Sequence, residues 1–375
     1  MPKRTISKYC GGITGKKNRS EPPLKTDLCK CQPHIFLWLT LIKHFAKIAS
    51  LMRDSILKAL QQEGRVSGQQ LGQRFNISRT AIWKHVKELR RMGYQIDSSP
   101  RTGYSFIKSP DLVIPQEIAI GLNTTIMGRR FLYQEEVTST QDIAEEAARK
   151  GAEEGVVAIS ERQVEGRGRK GKLWVSPSRE GVYFSVILRP NLRPSQIIQI
   201  PLIAGVAVCQ AIKKVTPLEP RIKWPNDITI GGKKVAGILA EMSSDIDRVN
   251  HIVLGIGVNV NTECSLLPEP TRGIATSLAE RCGEYVSRVR LLQSLLAEFD
   301  TLYREFLTSG FDRPRQQWKA LDNTIGSWVK ISDAKDEIKG KALDIDEEGF
   351  LLIRKENGDV KRIISGDVSL IGRDN

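Results

Sequence analysis

The sequence predicts an α+β chain with three folded parts: a small helical N-terminal domain carrying a β-hairpin, a central domain on a mixed, largely antiparallel sheet, and a small C-terminal β-barrel. Three observations carry this reading. Basic charge is confined to one end, because residues 1–110 hold 21 Lys and Arg against 6 Asp and Glu, whereas residues 111–375 hold 36 against 37. Strand-like segments after residue 130 fall in adjacent hairpins with helical stretches set apart, the grouping of an α+β rather than a doubly wound sheet. The final stretch of roughly fifty residues alternates apolar and polar side chains between tight turns.

A chain of 375 residues is too long for one ordinary core, and 40% hydrophobic content makes its bulk globular. The +15 of residues 1–110 points to a polyanionic partner for that end, and the near-neutral remainder to a small ligand or a protein. Six scattered cysteines fit a reducing, cytoplasmic setting. The apolar run Ile35 to Ile42 is far shorter than the ~20 residues that cross a bilayer, so no membrane partner is expected.

Residues 1–52 read as a basic extension, flexible over 1–34. Cys10, Cys29, Cys31 and His34 could hold a metal, but their spacing is not a zinc pattern and free thiols are the plainer reading. Ile35 to Met52 sets Ile35, Leu39, Ile42, Phe45 and Ala49 on one helical face, and would lie outside the working protein if translation began near Met52.

Residues 53–108 form the first domain. Ile56, Leu57 and Leu60 mark a first helix, Ser67 caps a second with Leu71 and Phe75 inward, Asn76-Ile77-Ser78 turns the chain, and Arg79 to Met92 is a third with Ile82, Val86 and Leu89 inward. Two short helices across a tight turn make a helix-turn-helix. Ser78, Arg79, Thr80, Trp83, Lys84, Lys87 and Arg91 supply candidates for a groove and its phosphates. Tyr94 to Asp97 and Tyr104 to Ile107 alternate as two strands of a wing, with Arg101 at its tip. A protein-docking bundle is the alternative, and the +7 of residues 51–110 argues against it.

Residues 109–124 form a linker containing a short helix, and residues 125–320 the central domain. Phe131 to Tyr133 is a strand, and Ser139 and Thr140 cap the helix bearing Ile143, Ala144 and Ala147. Val156 to Ser160 leads into Gly166-Arg167-Gly168-Arg169-Lys170-Gly171-Lys172-Leu173-Trp174, four cations interleaved with three glycines and closed by an indole. Glycines allow close backbone approach and the cations bind phosphate or carboxylate oxygens, so the loop covers an anionic ligand. It is no dinucleotide fingerprint, because Val175-Ser176-Pro177 stands where a helix is needed. Gly181 to Leu188 returns as a strand, Ile197 to Lys213 is a long apolar helix, and Arg221 to Trp224 ends in Pro225-Asn226-Asp227. Ile228 to Ile230 and Lys234 to Met242 make a hairpin about Gly231-Gly232, Ile252 to Val258 is a further strand, and Val289 to Ser309 and Arg313 to Lys319 are helical. Residues 321–372 then alternate as the strands Ser327 to Ile331, Glu337 to Ile345, Phe350 to Arg354 and Val360 to Ile364.

With Gly166 to Trp174, Lys223 to Asp227 and Lys234 to Glu241 in family order, residues 131–372 resemble a biotin protein ligase, and with residues 53–108 the chain resembles the bifunctional type that also represses the biotin operon. The resemblance implies a biotin/lipoyl-ligase catalytic domain, an SH3-like barrel, and two steps. Biotin and ATP give biotinyl-5′-adenylate and pyrophosphate, and a lysine of a biotin carboxyl carrier domain then attacks the mixed anhydride. It implies catalytic roles for Arg169, Lys234 and Arg167 in offsetting the repulsion of two anions. Ser139, Thr140, Gln141 and Gln163 would face the biotin ureido ring, helix capping being the alternative for the first two. Gly166, Gly168, Lys170, Trp174, Asn226, Gly237 and Asn259 complete the ligand contacts. Asp227 is the metal-associated carboxylate, since ATP brings Mg²⁺ and a hard cation takes oxygen ligands. Partners so implied are the carrier domain, duplex operator DNA, and a second copy of the chain when biotinyl-AMP is bound.

Glu165 departs from the family's usual alanine, and pairing with Arg167 or Lys172 would offset its charge. Two alternatives stand beside the ligase. A lipoate or octanoate transferase would be expected to use a cysteine, and Cys209, in an apolar helix, offers no obvious pairing; a ligand-sensing transcription factor without ligase activity is opposed by the intact Arg169 and Lys234.

Overall fold

The computed structural model describes residues 52–99, 102–332 and 337–371. The expectations for Cys10, Cys29, Cys31, His34, the 35–52 helix face and Arg101 at the wing tip fall outside these residues, as does the end of the barrel after Ile371. Contacts divide the chain into two units between Ile56 and Leu57, and all the strands of the described residues lie in the second.

The N-terminal domain has helix α1 (residues 52–63), strand β1 (Arg65–Val66), α2 (Gly68–Phe75), α3 (Arg79–Arg91), β2 (Gln95–Ser99) and β3 (Gly103–Lys108). Ser67 caps α2 with a full capping box to Gln70, and Ser78 caps α3 by accepting from Ala81 N–H. Asn76 adopts the left-handed region (φ 53°) that the tight turn needs. Gly72 packs under that turn, where a Cβ would lie 2.8 Å from the Ile77 carbonyl oxygen. The two strands expected for the wing pair as β2 and β3, and β1, not anticipated from sequence, adds a third in the order β1-β3-β2; Arg90 ties the sheet to α3 by donating twice to the Ile96 carbonyl.

A linker with α4 (Pro115–Ala119) leads to β4 (Arg130–Val137), α5 (Thr140–Arg149), β5 (Val156–Gln163), β6 (Gly181–Leu188) and α6 (Gln199–Val215). Then come β7 (Arg221–Lys223), β8 (Asp227–Ile230), β9 (Lys233–Ser244), β10 (Val249–Asn259), the short α7 (Thr271–Ile274) and α8 (Leu278–Cys282), α9 (Arg288–Ser309) and α10 (Asp312–Leu321). The seven-stranded sheet runs β4-β5-β6-β10-β9-β8-β7, parallel only between β4 and β5. One face carries α6, α9 and α10 over a continuous apolar core, and the other carries α5, whose Ala144 and Ala148 meet Ala158, Ile187 and Val253. The helical segment Pro194–Val215 is long and apolar enough to span a membrane, yet Ile200, Leu202, Ile203 and Val206 are wholly enclosed between sheet and α9. Burying each such side chain contributes about 1.5–3 kcal/mol, which accounts for its apolarity within a globular core.

Buried charges anchor the loops that strands and helices leave over. Asp300 on α9, 2% exposed, accepts from the N–H groups of Thr125, Ile126 and Met127 and from Arg304. Burial raises its pKa, but these donors outweigh that and hold the carboxyl below its usual range. The linker is fixed at Asp111, whose carboxylate accepts from the N–H groups of Arg288 and Val289 at the start of α9, while Arg288, enclosed at 1% exposure, pairs with Glu161 on β5.

The C-terminal domain, expected as a barrel of four strands, is a five-stranded antiparallel sheet of β11 (Trp328–Ser332), β12 (Glu337–Ile345), β13 (Leu351–Arg354), β14 (Val360–Ile363) and β15 (Asp367–Ile371), in order β14-β13-β12-β11-β15. Its core runs into that of the central domain, and Trp224 fastens the two by donating from Nε1 to the Gly349 carbonyl at 3.1 Å. At the junction Asp322 accepts from Thr324 and Ile325 N–H, yet burial prevails and pushes its carboxyl up to about 6. The native state therefore keeps a proton that the unfolded chain loses near its ordinary value of 3.8, and stability falls as pH rises from about 4 to about 6. Asp322→Asn, which keeps the acceptor oxygen, should raise stability by about 3 kcal/mol at pH 7 and by little at pH 4. Urea titrations at the two pH values check this, and an equal gain at both would show that the charge is not what costs stability.

Candidate functional site

A cavity of about 790 Å³ opens on the α5 side of the sheet, with walls drawn from α5, the loop after β5, β7 to β10, the segment 267–275 and the C-terminal strand β15. Its floor is glycine. Gly237 on β9 pairs with Gly257 on β10, and Gly255 lies two residues away on the same face. The Trp174 indole lies on this floor, since a Cβ would sit 2.5 Å from it at Gly257 and 2.9 Å at Gly237. Its Nε1 is buried without a hydrogen-bond partner.

The N-terminus of α5 supplies one wall. Ser139 caps the helix by accepting from Gln141 N–H, and Thr140 donates from both N and Oγ1 to Gln163 Oε1 at 2.8 and 3.0 Å. The Thr140 hydroxyl also meets Ser185 Oγ at 2.8 Å, and Gln163 Nε2 donates to Ser176 Oγ at 2.9 Å. Capping and lining the cavity are thus combined in Ser139 alone, whereas Thr140, expected to share the cap, is the first residue of the helix and bonds to Gln163 and Ser185 on β5 and β6.

The loop from Gly166 to Trp174 folds back on itself rather than opening a helix. Trp174 N–H donates to the Gly166 carbonyl and Gly168 N–H to that of Lys172, each at 2.7 Å. A Cβ at Gly166 would lie 2.3 Å from the Trp174 carbonyl oxygen, so this close return requires glycine. Lys170 and Gly171 turn the tip with φ of 55° and 73°.

Each cation here meets a polar oxygen of the protein. Arg167 reaches Glu241 at 2.8 Å and Asp142 at 3.3 Å, Lys172 reaches Asp367 at 2.7 Å, and Lys170 donates to the Ser332 carbonyl. Arg169 donates to Asn226 Oδ1 at 3.0 Å and stands 3.9 Å from Asp367. Lys234 pairs with Asp227 at 2.6 Å with its Nζ 5.3 Å from the Trp174 ring centroid, and Lys223 lies 3.9 Å from the same carboxylate. Burial raises the Asp367 pKa, but Lys172 and the other loop cations outweigh it and leave the carboxyl below its usual range.

All the ligand residues singled out from sequence except Gly166 and Lys170 line this cavity, including Asn259, which donates to the Thr276 carbonyl at 3.2 Å. Gly166 shapes the loop from behind, and Lys170 points to the C-terminal domain. Trp224 is 1% exposed and packs at the junction with the C-terminal domain. Glu165 has none of the ion pairs anticipated for it, because Arg167 and Lys172 are engaged elsewhere. Asp227 stands between two lysines, and among the described residues no group of three or more His, Cys, Asp or Glu side chains could hold a metal. A lone carboxylate suits an ion that arrives on a nucleotide and keeps its waters, not a resident metal.

Sequence reasoning assigned no role to Asp367, Glu241 or Gly255. The Gly-x-Gly alternation of Gly255 and Gly257 on one strand face was the available signal for a cleared floor. Asp367, on another domain, offered none.

A second candidate surface lies on α3. Ser78, Arg79, Thr80, Trp83, Lys84 and Lys87 are exposed on one side of the helix, with Lys87 Nζ 5.2 Å from the Trp83 ring centroid. Arg91 turns back to Glu88 at 2.7 Å.

The comparisons agree with this geometry. The Biotin/lipoate A/B protein ligase family matches residues 133–259, an HTH domain residues 53–105, and a biotin protein ligase C-terminal domain residues 324–371. Bifunctional ligase/repressor BirA of Bacillus spizizenii is 39% identical over 86% of this chain and 99% of its own length. Its Escherichia coli counterpart is 30% identical over 81% and 92%. Among solved structures, biotin protein ligase from Aquifex aeolicus in complex with biotin and ATP superposes with a TM-score of 0.56 at 31% identity, covering 65% of this chain and 99% of that one. The chain therefore belongs to the biotin protein ligase family, in its bifunctional ligase/repressor form.

Proposed function

We propose that the chain is an ATP-dependent biotin protein ligase and a DNA-binding repressor. The observation that carries the enzymatic reading is the convergence of Arg169, from the loop after β5, and Lys234, from β9, on one glycine-floored cavity at the start of α5. In the first step a biotin carboxylate oxygen attacks the α-phosphorus of ATP, and the bond to pyrophosphate breaks. Bringing these anions together is opposed by Coulomb repulsion, which two fixed cations offset most strongly as charge builds on the phosphoryl oxygens. In the second, the neutral amine of a carrier-domain lysine attacks the acyl carbon, AMP departs, and the amine's proton passes to solvent. Asp227 is the carboxylate that would hold a Mg²⁺ arriving with ATP, and the ion would supply charge to neutralise the phosphates. Ser139, Thr140, Gln141 and Gln163 supply the hydrogen bonds for the ureido ring, and Trp174 covers it.

A cysteine-dependent acyl transferase is disfavoured. Burial pushes the Cys209 and Cys264 thiols up to about 12, and Cys282 is raised by burial as well. The nucleophile that chemistry requires is not found among the described cysteines.

Loaded with biotinyl-adenylate, the chain pairs with a second copy and binds operator DNA through α3 of each. The use of ATP and DNA implies a cytoplasmic protein. Incubation with ATP, a carrier domain and either biotin or lipoate tests the enzymatic reading. Carrier modification by biotin alone is expected, and modification by lipoate, or by neither, would overturn it.

A further inference from the structure

Gln141 is 2% exposed and lies flat over Gly255, where a Cβ would come within 2.8 Å of its Oε1. Its Nε2 donates to Glu241 Oε2 at 2.7 Å, and more weakly to the Val253 carbonyl at 3.4 Å. Arg167 Nη2 donates to the same Glu241 oxygen at 2.8 Å. The other end of the amide is unsatisfied, since Gln141 Oε1 is buried in the cavity wall with no partner. An amide can in principle turn over and exchange its donor and acceptor. Here it cannot, because an oxygen turned toward Glu241 would put acceptor against acceptor at hydrogen-bond distance.

We propose that Glu241 is a positioning residue for ligand recognition: by taking the Gln141 amide nitrogen it fixes Oε1 as an acceptor for one ureido N–H of biotin. The inference rests on the biotin ligase reading and extends it to a residue that touches no ligand atom itself. A buried acceptor without a donor carries a cost of about 1–3 kcal/mol, which a ligand N–H removes. Gln141 is among the residues lining the cavity, and a ligand seated there can bring the donor that Oε1 lacks. A site that presents such an acceptor rejects analogues lacking the donor far more sharply than an apolar pocket does. Glu241 thus acts on selectivity, and through Arg167 it also couples the seating of the loop to the orientation of the amide.

The test compares biotin with its two ureido N-methyl derivatives in ATP–pyrophosphate exchange, using the full chain. In the wild type, methylation of the nitrogen that faces Oε1 should lower kcat/KM tenfold or more. In Glu241→Gln, whose side chain can donate or accept, the Gln141 amide is free to turn, biotin KM should rise, and that discrimination should shrink to within about threefold, a difference in ratio that a merely structural role would not produce. Asp142→Asn removes the other carboxylate beside Arg167 without touching Gln141, and should keep the wild-type ratio. Unchanged discrimination in Glu241→Gln overturns the proposal, and so does equal collapse in Asp142→Asn, which would route the effect through Arg167. No exchange with biotin in the wild type would overturn the ligase reading itself, and this inference with it.

Discussion

Adenylation is expected to slow by about a hundredfold or more when Lys234 is replaced by alanine, and by at least about tenfold in Arg169→Ala. The two cations come from different elements, and each is only partly exposed, Lys234 at 29% and Arg169 at 24% of the side chain. In that position a charge is screened less than at the surface, and removing one fixed donor to a developing anion typically costs about 2.7–4 kcal/mol. Lys234 has the larger expected effect because its one close partner is Asp227 at 2.6 Å, which leaves its charge available to the cavity, whereas Arg169 is braced by Asn226. Pyrophosphate exchange measures the loss, and thermal melts establish that the variants fold. Near-wild-type exchange by both would sink the assignment of the cavity.

Legibility in the sequence followed the range of the interaction. The helix-turn-helix could be read because its signals are local: Ser67 and Ser78 cap, Asn76 turns left-handed, and Ile82, Val86 and Leu89 recur at helical spacing. The split of hairpins from helices showed the α+β class for the same reason. The basic loop was legible as an anion cover, since alternating glycine and cation leaves few other uses. What could not be read was where each cation goes in the folded chain. Arg167 meets Glu241, 74 residues on, and Lys172 meets Asp367, 195 residues on. No window of sequence contains such a pair. The expected Glu165 partners failed on the same ground, because nearness along the chain was used where the hairpin return of the loop decides the neighbours.

The buried anchors were equally silent. Asp300 holds a turn 173 to 175 residues away, and Arg288 joins the linker to β5. A lone acid or base in a helical stretch reads as surface, and its burial depends only on which loop the helix passes. Glu241 illustrates this within the site: its motif was recognised, but its two donors come from α5 and the basic loop.

The steepest dependence should be that of DNA binding on salt. The α3 surface presents the cations Arg79, Lys84 and Lys87, enough to neutralise about three phosphates in one copy, with Ser78 and Thr80 as neutral contacts, and each neutralised phosphate contributes roughly −0.9 to the slope of log affinity against log salt. A single copy should then lose about fortyfold in affinity between about 50 and 200 mM salt, and a symmetric pair on two half-sites about two-thousandfold. If biotinyl-adenylate drives pairing, it has to bind the dimer more tightly than the monomer, since equal affinity would shift nothing. Loading a nonhydrolysable biotinyl-adenylate analogue should therefore double the slope, whereas biotin alone should leave it near the single-copy value. Anisotropy titrations of operator DNA across salt concentrations, run beside sedimentation of the same samples, measure both quantities. A flat salt response would contradict a phosphate-dominated surface on α3. A steep slope unaltered by the analogue, with no change in association state, would leave the ligase standing and remove the adenylate-controlled switch, because the doubled slope can arise only when two copies of α3 reach DNA together.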